Sequence, residues 1–109
     1  MDIFKVNSIL PTLYKRRFNV FYIDDETFFA TKKQKMFGYD ARISVSLKKN
    51  ILNFTIDIHI PEIMQKLRAN KMVLMDTLKN MKIPFWFAYE SIMNDLRKTM
   101  YDFITEKTK

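Results

Sequence analysis

Between Arg42 and Ile60 the chain alternates apolar and polar residues with a period of two. Ile43, Val45 and Leu47 are interleaved with Arg42, Ser44, Ser46 and Lys48. After Lys49-Asn50, the residues Leu52, Phe54, Ile56, Ile58 and Ile60 are interleaved with Asn53, Thr55, Asp57 and His59. Successive side chains of a strand point to opposite faces, so this pattern predicts two half-buried strands joined as a hairpin. Upstream, Phe18 to Ile23 and Thr27 to Lys32 are rich in aromatic and β-branched residues and flank Asp24-Asp25-Glu26. They predict a first hairpin that turns at the acidic triplet. Its alternation is less regular, because Phe21-Tyr22 and Phe28-Phe29 put rings on both faces.

The period lengthens in the C-terminal half. Pro61 ahead of Glu62 suits a helix start, since proline lacks the N–H that a first turn leaves unused and an acid suits the positive helix end. Ile63, Met64, Leu67, Leu74, Met75, Leu78 and Met81 then fall on one helical stripe. After Pro84 a longer stripe comprises Phe85, Tyr89, Ile92, Met93, Leu96, Met100, Phe103 and Ile104, opposite Glu90, Asp95, Arg97, Lys98 and Asp102. At the N-terminus, Ile3, Phe4, Val6, Ile9 and Leu10 fit a short helix ended by Pro11 or a strand, and the helix is the reading adopted. The expected architecture is one α+β domain over residues 1–109. A short N-terminal helix precedes two antiparallel hairpins forming a four-stranded sheet, and two amphipathic helices pack on one sheet face.

Composition removes several function classes. Gly38 is the only glycine, so no Gly-rich phosphate-cradling loop can form. There is no cysteine, which excludes disulfides, thiolate zinc sites and thiol nucleophiles. A single histidine, His59, cannot build a histidine metal site. It lies two residues from Asp57 on the outward strand face, where a histidine is more often solvated than a general base. Asp24-Asp25-Glu26 carries charge suited to a divalent cation, but three consecutive acids at a tight turn point in different directions and usually only solvate it. Ser8, Ser44, Ser46 and Ser91 lack the glycines of a nucleophile elbow. The reading is therefore of a non-enzymatic protein that requires no cofactor and no metal. The apolar run from Ile83 to Tyr89 falls far short of the roughly 20 residues of a membrane span. With the early acid Asp2 and no apolar leader, the expectation is a cytoplasmic protein without a membrane partner.

Charge turns the picture towards a partner. The formal net charge is +7, which favours polyanions. Fourteen of the nineteen basic residues are Lys, whereas Arg is the residue that reads phosphates and bases bidentately. The basic residues cluster as Lys15-Arg16-Arg17, Lys32-Lys33-Gln34-Lys35 and Lys48-Lys49. The second cluster runs into Met36-Phe37-Gly38-Tyr39, so lysines that track a phosphate backbone stand beside rings on which bases stack. Lys35-Met36-Phe37-Gly38-Tyr39 resembles the aromatic core of the RNA recognition motif. That fold needs a helix between its first two strands, which has no place here, so the likeness implies no family. The segment reads more readily as a plain loop between the hairpins, with Gly38 at positive φ and Phe37 or Tyr39 tucked into the core.

The expected nucleic-acid contacts are Lys15, Arg16, Arg17, Lys32, Lys33, Lys35, Phe37, Tyr39, Lys48 and Lys49. The competing reading is a protein-interaction module, such as a phage or mobile-element accessory protein that binds or inhibits a host factor. Its contacts would be Trp86, Phe87 and the surplus aromatics of the first hairpin, since Trp is enriched at interface hot spots and exposed rings favour a partner. A homodimer is compatible with either reading.

Overall fold

In the computed structural model, which describes residues 6–24, 26–63 and 65–107, the strongest alternation becomes the centre of a five-stranded antiparallel sheet. The strands are β1 (Asn19–Asp24), β2 (Thr27–Met36), β3 (Tyr39–Lys48), β4 (Ile51–Ile60) and β5 (Gln65–Leu74). They are ordered β1-β2-β3-β4-β5 as a continuous meander. Helix α1 (Val6–Lys15) precedes the sheet, and α2 (Met75–Asn80) and α3 (Phe85–Lys107) follow it. The class is thus α+β, with one strand more than the alternation alone indicated. The expected positions Ile3, Phe4, Asp25 and Met64 lie outside the described residues.

The extra strand corrects the reading of residues 65–74 as helix. Pro61 does start a helical turn, but only the 3₁₀ turn Pro61–Ile63. The chain then returns along β4 with Ile51 opposite Leu74 and Ile60 opposite Gln65. Leu67 and Ala69 are buried and Val73 half-buried, which is the period-two set that a helical stripe through Leu67 and Leu74 concealed. Lys71 occupies the remaining inward position and reaches out to Asp95 of α3 at 2.9 Å. Good helix formers such as Gln, Lys, Leu, Arg, Ala and Met obscured the strand further. The open hydrogen-bonding edge of β4 overrides that propensity, because ten residues of backbone must find partners.

The second correction concerns Pro11. Helix α1 runs through it to Lys15 instead of ending there. Ile9 and Leu13, one turn apart across the proline, are both fully buried and hold the helix to the sheet. Their burial offsets the backbone hydrogen bond that the proline cannot donate.

Both central hairpins close with two-residue turns in which each residue has positive φ. These are Phe37 (56°) with Gly38 (82°), and Lys49 (50°) with Asn50 (63°). Such mirror-image turns match the right-handed strand twist. Gly38 adopts this backbone without strain, and nothing lies within 4 Å of where a Cβ would stand. The segment Lys32–Lys35 is therefore the second half of β2 and not a loop.

One face of the sheet carries the core. Phe28, Ala30, Ile43, Val45, Leu47, Leu52, Phe54, Ile56, Ile58 and Ile60 are buried there beneath α1 and α3. Phe54 sits under an aromatic cluster. Phe85 stacks on it at 6.3 Å and Tyr89 tilts against it at 5.9 Å, while Phe18 meets Tyr89 edge-on at 6.1 Å. These contacts seat the first turns of α3 on β4. Among the described residues, no helix covers the opposite sheet face.

The open face holds one enclosed hydroxyl. Thr31 Oγ1 is shielded from solvent and has no hydrogen-bond partner. An unmade hydrogen bond of this kind costs about 1–3 kcal/mol. Thr31→Val, which keeps the shape and removes the polar atom, is expected to raise stability by about 1 kcal/mol. Urea denaturation would show this as a higher midpoint at unchanged slope; a lowered midpoint would mean that the hydroxyl is satisfied in solution.

Candidate nucleic-acid interface

Because cross-strand partners share a face, the register assigns every open-face side chain to a row running across the strands. At the end bearing the Phe37-Gly38 turn, one row reads Lys35, Asp40, His59 and Lys66. The next reads Lys33, Arg42, Asp57 and Arg68. Lys33, Lys35, Asp40, Arg42, Asp57, His59 and Lys66 line a shallow groove of about 450 Å³.

The charges in this groove do not cancel. Asp57 accepts two hydrogen bonds from Arg68, from Nε at 2.6 Å and from the terminal nitrogen at 3.2 Å. That hydrogen-bonded carboxylate raises the guanidinium pKa above its usual value. Asp40 stands 3.9 Å from the Lys35 ammonium. Among the described residues, no carboxylate pairs with Lys33, Arg42 or Lys66. Five cations, namely Lys33, Lys35, Arg42, Lys66 and Arg68, thus face two carboxylates.

The residues predicted from sequence are distributed over three regions. Lys33 and Lys35 stand in the groove. Lys32, one residue between them, points to the helix side, where its ammonium lies 5.9 Å from the Phe18 ring centre. Phe37 is at the turn against Tyr101, with ring centres 5.8 Å apart, and Tyr39 is half-buried against the core. Lys48 and Lys49 stand at the other end of the sheet, beside the turn in which Asp24 accepts the Glu26 N–H at 2.8 Å. Eight residues of strand separate Lys48 from Asp40, about 27 Å at the rise of an extended chain. These clusters do not form one surface.

Lys15, Arg16 and Arg17 lie on the helix side. Arg16 pairs with Glu90 and packs 5.0 Å above the Tyr89 ring, so it serves the fold. Arg17 has φ 66° in the turn that leads into β1. Thr12, Lys15, Arg16 and Trp86 line a second hollow of about 510 Å³. Trp86 and Phe87 are both exposed and meet edge-on at 5.6 Å.

Arg42, Lys66 and Arg68 join this charged end of the sheet although the sequence alone does not single them out. Arg42 was legible as an outward position of the strongest alternation. Lys66 and Arg68 would have been legible once residues 65–74 were read as a strand, because they alternate with buried Leu67 and Ala69.

Burial pushes the Tyr89 hydroxyl up to about 12, and nearby Glu90 adds to the shift while Arg16 and Arg97 oppose it. The folded value lies above the roughly 10 of an exposed phenol, so this contribution to stability is intact below pH 10. It is lost as pH rises from there through about 12. Tyr89→Phe is expected to lose less stability than the parent between about pH 9.5 and 11.5, by on the order of 2 kcal/mol. Chemical denaturation of both proteins at the two pH values checks this, and equal losses would contradict it.

No helix among the described residues is long and apolar enough to cross a membrane. Comparison of the chain with protein-family models, curated proteins and solved structures returns no match.

Proposed function

We propose that the protein is a non-enzymatic nucleic-acid-binding protein whose contact surface is the charged end of the open sheet face. The observation that carries this reading is the register. It brings Lys33 and Lys35 of β2, Arg42 of β3 and Lys66 of β5 around one groove, with Arg68 of β5 in the adjoining register position, and among the described residues Asp40 and Asp57 are the acids in these rows. These residues are distant in sequence. A phosphate backbone laid across the strands would meet a cation on each of three strands and release condensed counterions on binding. Asp57 is engaged by Arg68 and mostly buried, at 19% side-chain exposure, whereas Asp40 is exposed and is the acid that opposes a phosphate here.

The protein-interaction reading draws on a different surface. Trp86 and Phe87 are 55% and 58% exposed on the helix side. Rings of this size left in water are hot-spot candidates for a protein contact. The two surfaces lie on opposite faces, so substitutions separate the readings.

Fluorescence anisotropy of labelled DNA and RNA oligonucleotides at two salt concentrations tests the proposal. Binding is expected to be micromolar or tighter at low salt and to fall steeply as salt rises. Replacing Lys33, Arg42 and Lys66 together by Ala is expected to reduce the log–log salt slope by about 2 to 3 and to weaken binding at least roughly tenfold. Trp86→Ala should leave it unchanged. Undetectable binding at low salt, or a triple variant that binds like the parent, would refute the proposal. In the other direction, Asp40→Asn with Asp57→Asn removes two negative charges from the groove. That pair is expected to tighten binding severalfold at low salt and to have little effect at high salt.

A further inference from the structure

The open face changes character along its length, and the change bears on the form of the nucleic acid. Beyond the charged rows comes a row of uncharged hydrogen-bonding groups: Thr31, Ser44, Thr55 and Asn70. The Thr55 hydroxyl donates to Asn70 Oδ1 at 2.8 Å, which leaves the Asn70 amide N–H groups directed elsewhere. In the following row Phe29 stands opposite Phe21 on one side and Ser46 on the other. The two rings are 6.0 Å apart and tilted by 31°, and they are 41% and 57% exposed. Ser46 and Asn53 separate them from Met72 on β5, so they do not continue across the sheet as an apolar surface.

Lys33 and Phe29 lie on the same face of the same strand. Four residues of extended chain put them about 14 Å apart. Phosphate-seeking cations, hydrogen-bonding groups and a pair of exposed rings therefore follow one another within a short path.

A duplex uses little of this. Its bases are stacked on one another and offer only their edges, at the floor of grooves that a helix or a two-stranded ribbon must enter. Among the described residues, no helix stands on this sheet face. Rings whose faces are open to solvent are used by unstacked bases, and that requires a single strand. Resting on the proposed function above, we infer that the ligand is a single-stranded nucleic acid. Phosphates at one end of the strand lie over the Lys33–Arg42 end, and the strand crosses the Thr55–Asn70 row so that bases of nucleotides further along stack at Phe21 and Phe29.

The test compares three labelled probes of about twelve nucleotides, within the usual site size of a single-strand binder. They are a single strand, the duplex of the same sequence, and an abasic strand that keeps every phosphate and lacks every base. The single strand is expected to bind roughly tenfold or more tightly than either of the others at moderate salt, the effect of one or two stacked bases. Phe21→Ala with Phe29→Ala should abolish that preference while leaving abasic-strand binding and its salt slope as in the parent. Phe29→Leu retains apolar bulk without a flat ring, and it should lose most of the preference with the melting temperature preserved. Equal affinity for all three probes, or a preference that survives both variants, would overturn the inference and leave phosphate-driven binding standing. Failure of every probe to bind at low salt would remove the nucleic-acid reading itself, and this inference with it.

Discussion

The burial of β4 against the first turns of α3 is the interaction on which the rest of the molecule depends. Leu52, Phe54, Ile56, Ile58 and Ile60 are fully buried on one face of that strand, with Phe54 held under Phe85 and Tyr89. Strand side chains alternate strictly, so a slip of one residue would carry all five into water. The register of β4 against β3 and β5 is therefore fixed by the core. The open face inherits it: Asp57 must stand between Arg42 and Arg68, and His59 between Asp40 and Lys66.

That inheritance explains how a charged surface can arise from residues that look ordinary one at a time. None of Arg42, Asp57, Lys66 and Arg68 belongs to a charge run. They become neighbours because three strands fold back on one another through short connections, and because the helices all cover the other face. A sheet with one face buried is free to specialise its second face, since polar and charged side chains there carry no packing role. Here the second face grades from cations through hydroxyls and amides to a pair of phenylalanines. The helix side follows the opposite logic. Arg16 and Lys71 are charged, yet both are engaged with α3, through Glu90 and Asp95, and help dock that helix on the sheet.

How far the sequence could be read followed how cleanly each segment kept a single period. The β3–β4 hairpin was legible to within a few residues because its inward positions are almost all branched aliphatic or aromatic and its outward positions almost all polar. The long helix α3 was legible for the same reason at its own period. Residues 65–74 were not. Their inward set includes Ala69 and the cation Lys71, while their outward set includes the apolar Met72 and Leu74, so no single period dominates. The candidate site suffered from the same ambiguity, since two of its five cations lie on that strand. Lys32, Lys33 and Lys35 look like one cluster in sequence, and strand geometry sends Lys32 to the opposite face.

By itself the sequence determined the α+β class, the buried faces of β3, β4 and α3, the positive charge, and the exclusion of thiol and glycine-loop chemistry. Each of these follows from local periodicity or from composition, which need no knowledge of distant neighbours. Tertiary structure alone decided the fifth strand, the passage of α1 through Pro11, and which basic residues meet. The reason is common to all three. An unsatisfied strand edge, a buried helix face and a cross-strand register are set by partners far along the chain, and their combined free energy exceeds the local preferences of the residues involved.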